Sequence, residues 1–328
     1  MLKTACAMLA GTLAMSGYNI ADTFFVGQLG GEAPLAAMGF TFPVVMLVGC
    51  IFHGTGGGIM ATMAHALGRN DSKQAALLVS SGLLLVSIIA VLLAAIGILS
   101  ADWLFAAFGA EGETLVQVRR YMDVWYFGCF TAGLSMEGNK ALIAAGKPKS
   151  ASSMTILGML VNVALDPLFI FGFGPVPGMG IRGAAIATVL SQMVSAIVII
   201  VILRQAELLH FRRIALPRLF EAWRTIIRYA IPGILGMLLF PIGNAVTTRI
   251  TASFGDTAVA AVSAATRLEM VAFVFPMAVG ITLMPMIAQN YGAKLYSRVR
   301  QCLRFAIGTA AFFLITMGAV FIIFAPKI

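Results

Sequence analysis

Two aspartates, Asp22 and Asp166, interrupt long apolar runs of the chain. An ionised side chain inside hydrocarbon costs at least about 2.5–3.5 kcal/mol, so such residues are the first candidates for function. Each has a polar companion one helical turn earlier, Tyr18 before Asp22 and Asn162 before Asp166, and residues four apart share a helix face. Two acids at matched depth, with a hydroxyl and an amide beside them, can hold a proton or a Na⁺. That is the chemistry of an ion-coupled carrier. The competing reading makes each aspartate a cap on an irregular turn, since Pro167 directly follows Asp166.

Glu137, Asn139 and Lys140 form a second polar group. Glu137 and Lys140 are three apart and can neutralise each other on one helix face, while Asn139 can line a cavity. Thr188 ends the small-residue run Gly183-Ala184-Ala185-Ile186-Ala187-Thr188, which suits close helix packing or a cavity wall. His53 and His65 have no partner spacing. Cys6, Cys50, Cys129 and Cys302 show no metal or disulfide spacing and read as small packing residues. Gly56-Gly57-Gly58 lies inside an apolar run without the lysine of a nucleotide-binding loop, so it reads as a place for close packing or bending. The sequence gives no catalytic constellation and no metal set, and the expected activity is not enzymatic.

The elements that carry these residues follow from composition. Hydrophobic residues make up 60% of the chain and charged ones 11%, with mean hydropathy +0.97, whereas a soluble domain carries about 25% charged residues. Continuous apolar stretches of about 20 residues cross a bilayer as helices. Spans are expected near 4–27, 35–65, 76–98, 121–144, 151–173, 183–203, 229–252, 258–290 and 304–325, an all-α integral membrane fold of about nine transmembrane helices. The net charge of +9 forms no single patch, so nucleic acid is not an expected partner. Basic residues instead gather in alternate connections. One set is Lys3, Arg69, Lys73, Lys147, Lys149, Arg204, Arg212, Arg213, Arg218, Arg224, Arg228, Lys294, Arg298, Arg300 and Arg304; the other is only Arg119, Arg120, Arg182 and Lys327. That bias predicts a cytoplasmic N-terminus in a multi-pass plasma-membrane protein.

Sliding the sequence against itself by about 225 residues exposes a weak duplication. Asn19-Ile20-Ala21-Asp22-Thr23 meets Asn244-Ala245-Val246-Thr247-Thr248, and Gly30 meets Gly255. With one residue of slippage His65-Ala66-Leu67-Gly68 meets Gln289-Asn290-Tyr291-Gly292. A unit of six spans enters the membrane in the same direction twice, giving a parallel repeat. The expected division is a six-helix lobe over 1–204, a cytoplasmic amphipathic linker over 205–228, and a three-helix partial second lobe over 229–328. A full second copy would reach about residue 450 on the same offset, so the last three helices are expected to be missing.

These segments resemble the multidrug and toxic compound extrusion (MATE) family. Tyr18-Asn19-Ile20-Ala21-Asp22-Thr23-Phe24-Phe25-Val26-Gly27 with Gly30 is similar to its first-helix signature, and Asn162 to Pro167 to its fifth-helix motif. Gly183 to Thr188 resembles its sixth-helix motif, and Ala288-Gln289-Asn290-Tyr291-Gly292-Ala293 its motif after helix eight. The resemblance implies two six-helix lobes around a cavity and export of cationic or amphipathic small molecules in exchange for H⁺ or Na⁺, with no cofactor and a monomer in the lipid bilayer. It makes Asp22 and Asp166 the ion-coupling pair, with Tyr18, Asn139, Asn162 and Thr188 lining the cation and substrate cavity. Some relatives carry a Na⁺-binding glutamate in helix seven where this chain has Phe240. The resemblance therefore points to the DinF-like branch and favours H⁺. Two alternatives remain: a lipid-linked oligosaccharide flippase of the same superfamily, or an inactive fragment.

Overall fold

The computed structural model describes residues 2–210 and 214–324. Its helices are α1 (Leu2–Gly27), α2 (Ala33–Gly68), α3 (Ser72–Ala107), α4 (Gly112–Ala144), α5 (Pro148–Ile170), α6 (Ile181–Gln205), α7 (Leu216–Ala252), α8 (Asp256–Gly292) and α9 (Tyr296–Phe324). Among the described residues the sheet is confined to one small hairpin between α5 and α6, with Gly172 opposite Pro177 and Phe173 opposite Val176. The fold is all-α, as expected.

Seven of these helices are long and apolar enough to cross a membrane, and α1 and α4 are not among them. Those two carry Tyr18, Asn19 and Asp22, and Glu137, Asn139 and Lys140. Their polar groups lower the hydropathy that a span is recognised by, and packing against other helices supplies the apolar surroundings instead.

The helices also outrun the apolar stretches that announced them. α3 continues to Ala107, and α7 begins at Leu216 rather than near 229. The first turns of α7, inside the stretch expected as a linker over 205–228, are a continuous part of the helix and amphipathic. Leu219, Ala222, Ile226 and Ala230 are buried along one stripe, while Arg218, Arg224 and Arg228 are exposed. Trp223 donates through Nε1 to the Ser81 carbonyl of α3 at 2.8 Å, and His210 N donates to Ser80 Oγ at 3.1 Å. Arg212 and Arg213 lie outside the described residues.

In the first six helices, α4 is central and packs on α2, α3 and α6, while α1 lies on α5 and α5 on α6. Glycine sets the closest approaches. Gly128 and Gly138 of α4 face Val189 and Ile199 of α6 so closely that a Cβ would overlap them, and Gly11 of α1 sits against Ser152 of α5. Such contact lets backbones approach where no hydrophobic force separates helix from lipid.

The last three helices join through α2. A Cβ on Gly54 would strike Ile234 of α7, and one on Gly58 would strike the Ile226 carbonyl and Ala230. The small-residue run in α2 is therefore a packing surface. α8 packs on α2, α1 and α9.

The duplication read in the sequence reappears in backbone geometry where α2 and α8 end. Asn70 and Lys294 both take a positive φ, 59° and 60°. Around them run matching hydrogen bonds: Asp71 N to Ala66 O at 3.0 Å and Leu295 N to Asn290 O at 2.8 Å. This is the Schellman pattern that satisfies free carbonyls at a helix terminus. The two ends also cross each other reciprocally. A Cβ on Gly68 would overlap the Gln289 carbonyl, and one on Gly292 would overlap the His65 carbonyl.

Candidate functional site

The site begins with the buried face of α1. Met8, Gly11, Ala14, Tyr18, Asp22 and Val26 fall at three- and four-residue intervals, which is one side of a helix. Gly11 and Gly17 bring this face against Ser152 and Met159 of α5. Asp22 is 5% exposed, and Asn162 and Asp166 of α5 are fully buried. Asn162 Nδ2 donates to Asp166 Oδ1 at 3.2 Å, so the four-residue spacing places amide and carboxylate side by side as the sequence indicated.

From α6, Thr188 and Ser191 complete the wall. Ser191 Oγ donates to the Thr188 carbonyl at 2.8 Å, and the Tyr18 side chain lies against both residues. Tyr18 is also within electrostatic reach of Asp22 and Asp166, and Asp166 within reach of Asp22. The structure thus gathers Tyr18, Asp22, Asn162, Asp166 and Thr188 between three helices.

The cluster is under-satisfied. Buried atoms without a hydrogen-bond partner include Tyr18 Oη, Asp22 Oδ1, Asn162 Oδ1, Asp166 Oδ2 and Thr188 Oγ1. Buried polar atoms in folded proteins are overwhelmingly paired, so each orphan calls for a reason. Five in one place, all oxygen and two of them carboxylate, make a nest for a proton, a small hard cation or an ammonium group. Among the described residues, no ion pair is made to either aspartate; the ion pairs are those of Arg119 with Asp102 and Asp123, and of Lys140 with Glu137.

Sequence reasoning missed Tyr121 and Ser191. Tyr121 of α4 is 6% exposed and close enough to Asp22, Tyr18 and Asp166 to feel their charge. It lies in the buried stripe Val118, Tyr121, Trp125, Cys129 and Ala132 of α4. A hydroxyl within an apolar helical stripe was the available signal, but no spacing rule links α4 to α1.

Asn139 stands apart from the cluster. Its Nδ2 donates to the Ala151 carbonyl at 2.7 Å and to Thr155 Oγ1 at 3.3 Å, tying α4 to α5. Asn139→Ala removes that tie and is expected to lower the stability of the solubilised protein by about 1–3 kcal/mol. Thermal unfolding in detergent checks this, and ion dependence of transport should remain that of the parent. A changed ion dependence with unchanged stability would instead place Asn139 in the cavity.

Glu137 and Lys140 do pair, at 3.4 Å. Lys140 Nζ also donates to the His53 carbonyl at 2.9 Å and the Phe52 carbonyl at 3.4 Å, pinning α4 to α2. Gly56 makes the room, since a Cβ there would overlap the Glu137 carboxylate and the Lys140 chain. Arg249 is exposed, and the side chain of Phe240 lies outside the described residues. Among the described residues no group of three His, Cys, Asp or Glu is placed to hold a metal ion.

A cavity of about 740 Å³ opens between α2, α3, α7 and α8 near their basic ends. Arg69, Asp71, His65, Tyr229 and Tyr291 lie around it, with Leu283, Met284 and Ile287 as an apolar wall.

Comparison with known proteins agrees with this architecture. The chain is 37% identical over 307 residues to the FAD transporter of Shewanella oneidensis, covering 92% of this chain and 67% of that protein. It is 24% identical over 325 residues to the probable multidrug resistance protein NorM of Thermotoga maritima, covering 99% and 70%. Among solved structures, the Vibrio cholerae MATE transporter VcmN in the bent form superposes with a TM-score of 0.92 at 28% identity, covering 99% of this chain and 73% of that one. A multidrug resistance MATE family transporter in an outward-facing conformation superposes at 0.88 with 27% identity, covering 99% and 72%. The MatE family model matches residues 7–168 and 232–328. The chain belongs to the MatE family, that of the MATE transporters.

Proposed function

We propose that this chain carries the coupling site of a secondary active exporter, with Asp22 and Asp166 binding H⁺ in exchange for small molecules leaving the cell. The observation behind the reading is the pair of buried carboxylates, each with an unpartnered oxygen, set beside Tyr18, Asn162 and Thr188 with no ion pair to either among the described residues. Burying two negative charges together without a counter-charge is costly. A cycle that loads and unloads a cation there resolves the cost in one state and renews it in the other. Tyr18, Asn162 and Thr188 supply oxygen and amide contacts to the bound cation or to an ammonium group of the cargo. Coupling through the aspartates of the first lobe, as in the DinF-like branch, favours H⁺ over Na⁺. The two lobes would rock about the connection between α6 and α7, in a monomer whose N-terminus faces the cytoplasm of the cell that bears it in its plasma membrane.

For cargo, cationic or amphipathic drugs fit the acidic cluster best. A second reading has a specific support: the relative at 37% identity is named for FAD, while the multidrug relative stands at 24%. A dinucleotide is anionic and suits the aspartate nest poorly. Arg69, Tyr229 and Tyr291 around the basic-end cavity could meet its phosphates and rings. The full-length protein in proteoliposomes, given an outward cargo supply and an inward proton gradient, separates the readings. Export of a cationic dye but not FAD supports the first, and FAD export alone the second. Export of neither under a proton or a Na⁺ gradient rejects both.

A further inference from the structure

The C-terminal turn of α4 shows an unusual division of labour. Its carbonyls are the free acceptors that every helix leaves at its end. Those of Ala141, Leu142 and Ile143 are taken by the backbone N–H groups of Ala145, Lys147 and Gly146, at 2.9, 2.9 and 3.0 Å. The next, Ala144 O, is taken from another helix: Gln289 Nε2 of α8 donates to it at 2.7 Å. The bond spans 145 residues of chain and ties one of the first six helices to one of the last three.

It sits at the crossing already described. The Gln289 carbonyl lies where a Cβ on Gly68 would go, and the His65 carbonyl where a Cβ on Gly292 would go. One residue therefore contributes its backbone to the α2 contact and its side chain to the α4 contact. On the same face of α8, seven residues deeper, Thr282 is 1% exposed. At the crossing itself, the described contacts include two close backbone approaches, the rings of His65 and Tyr291, and one side-chain hydrogen bond, the one that reaches α4. A hydrogen bond of this kind contributes only about 0.5–1.5 kcal/mol net, because water replaces it when the helices part. That is a strength suited to repeated opening.

We infer that Gln289 is the latch of a gate at the basic end of the helices, holding the two halves together there through Ala144 O and releasing them when the carrier turns over. The inference rests on the transporter reading above, and names a positioning residue rather than one that touches cargo. Its repeat-related counterpart is His65, whose ring faces Tyr291 at 6.0 Å between centroids. The latch is thus one-sided although the crossing is two-fold.

The test needs neither cargo nor gradient, so a failure of the coupling role of Asp22 leaves its outcome standing. In the full chain in native membranes, Thr282→Cys is treated from the basic side with a membrane-impermeant thiol reagent, and labelling is read peptide by peptide. With Gln289 in place the thiol should label slowly. Gln289→Met keeps the volume and removes the donor, and should raise the labelling rate about fivefold, the population change that a lost bond of this class brings. Natural Cys129, fully buried in α4, should stay unlabelled in both, showing that a gate opened rather than the fold. If Gln289→Met exposes Cys129 as well, Gly292→Ala, which wedges the crossing without touching the amide, takes its place. Rates for Thr282→Cys within about twofold of the parent would overturn the latch.

Discussion

Asp22→Asn should abolish gradient-driven export while leaving the protein folded. The substitution keeps the shape of the side chain and removes its ability to exchange a proton. One pH unit across the membrane is worth about 1.4 kcal/mol per proton, enough to hold cargo about tenfold out of balance. A coupled carrier reaches that imbalance; the variant should let cargo do no more than equilibrate. The carboxylate has an unpartnered oxygen and, among the described residues, no ion pair, so the amide costs no salt bridge seen there and the thermal midpoint should hold or rise. Asp166→Asn should behave alike in transport but perturb the bond from Asn162 at 3.2 Å. The measurement is dye accumulation in proteoliposomes of known orientation at fixed potential. Undiminished proton-driven accumulation in Asp22→Asn would show that the cluster is not the coupling site. Drive by Na⁺ at equal pH would change the ion and leave the site.

The second large effect is expected at Gly56, where a side chain should cost the fold itself. A Cβ on Gly56 would occupy the space of the Glu137 carboxylate and of the Lys140 methylenes. Neither neighbour can yield freely. Glu137 is fully buried, and Lys140 is held by two α2 carbonyls. Overpacking of a tight interior costs about 1–3 kcal/mol, and separating a buried pair adds about 3–5 kcal/mol. Gly56→Val should therefore yield little folded protein, seen as loss of the monodisperse peak on size exclusion in detergent. Gly57→Val is the control, because a Cβ there meets nothing within contact distance. Equal recovery of the two variants would mean that the pocket around Glu137 is soft.

The fold was largely legible in the sequence because bilayer physics leaves few options. A long apolar run must be a helix when water is absent, and each expected span overlaps a helix of the described residues. Their ends were less legible. α7 starts well before its apolar stretch, since its first turns bury one apolar stripe against α2 and α3 and look polar in sequence. Asp22, Asp166 and Asn162 could be found because a charge or amide in hydrocarbon is conspicuous, and the four-residue spacing fixes a shared face. Asn139 was equally conspicuous, yet depth alone cannot say which neighbour an amide faces, and it turned toward α5 backbone. Tyr121 escaped for the opposite reason: a tyrosine near a helix end blends with interfacial aromatics. The partnership of Gln289 with Ala144 was invisible, since its acceptor is a main-chain carbonyl and no side-chain pattern announces one.

The glycine crossing of α2 and α8 limits how the speed of the cycle can be adjusted by mutation. Main chain touching main chain carries no side-chain identity, and every replacement of Gly68 or Gly292 only adds bulk. If Gln289 is the latch, turnover should shift in small steps with changes at the amide, whereas bulk at either glycine should wedge the two helix ends apart.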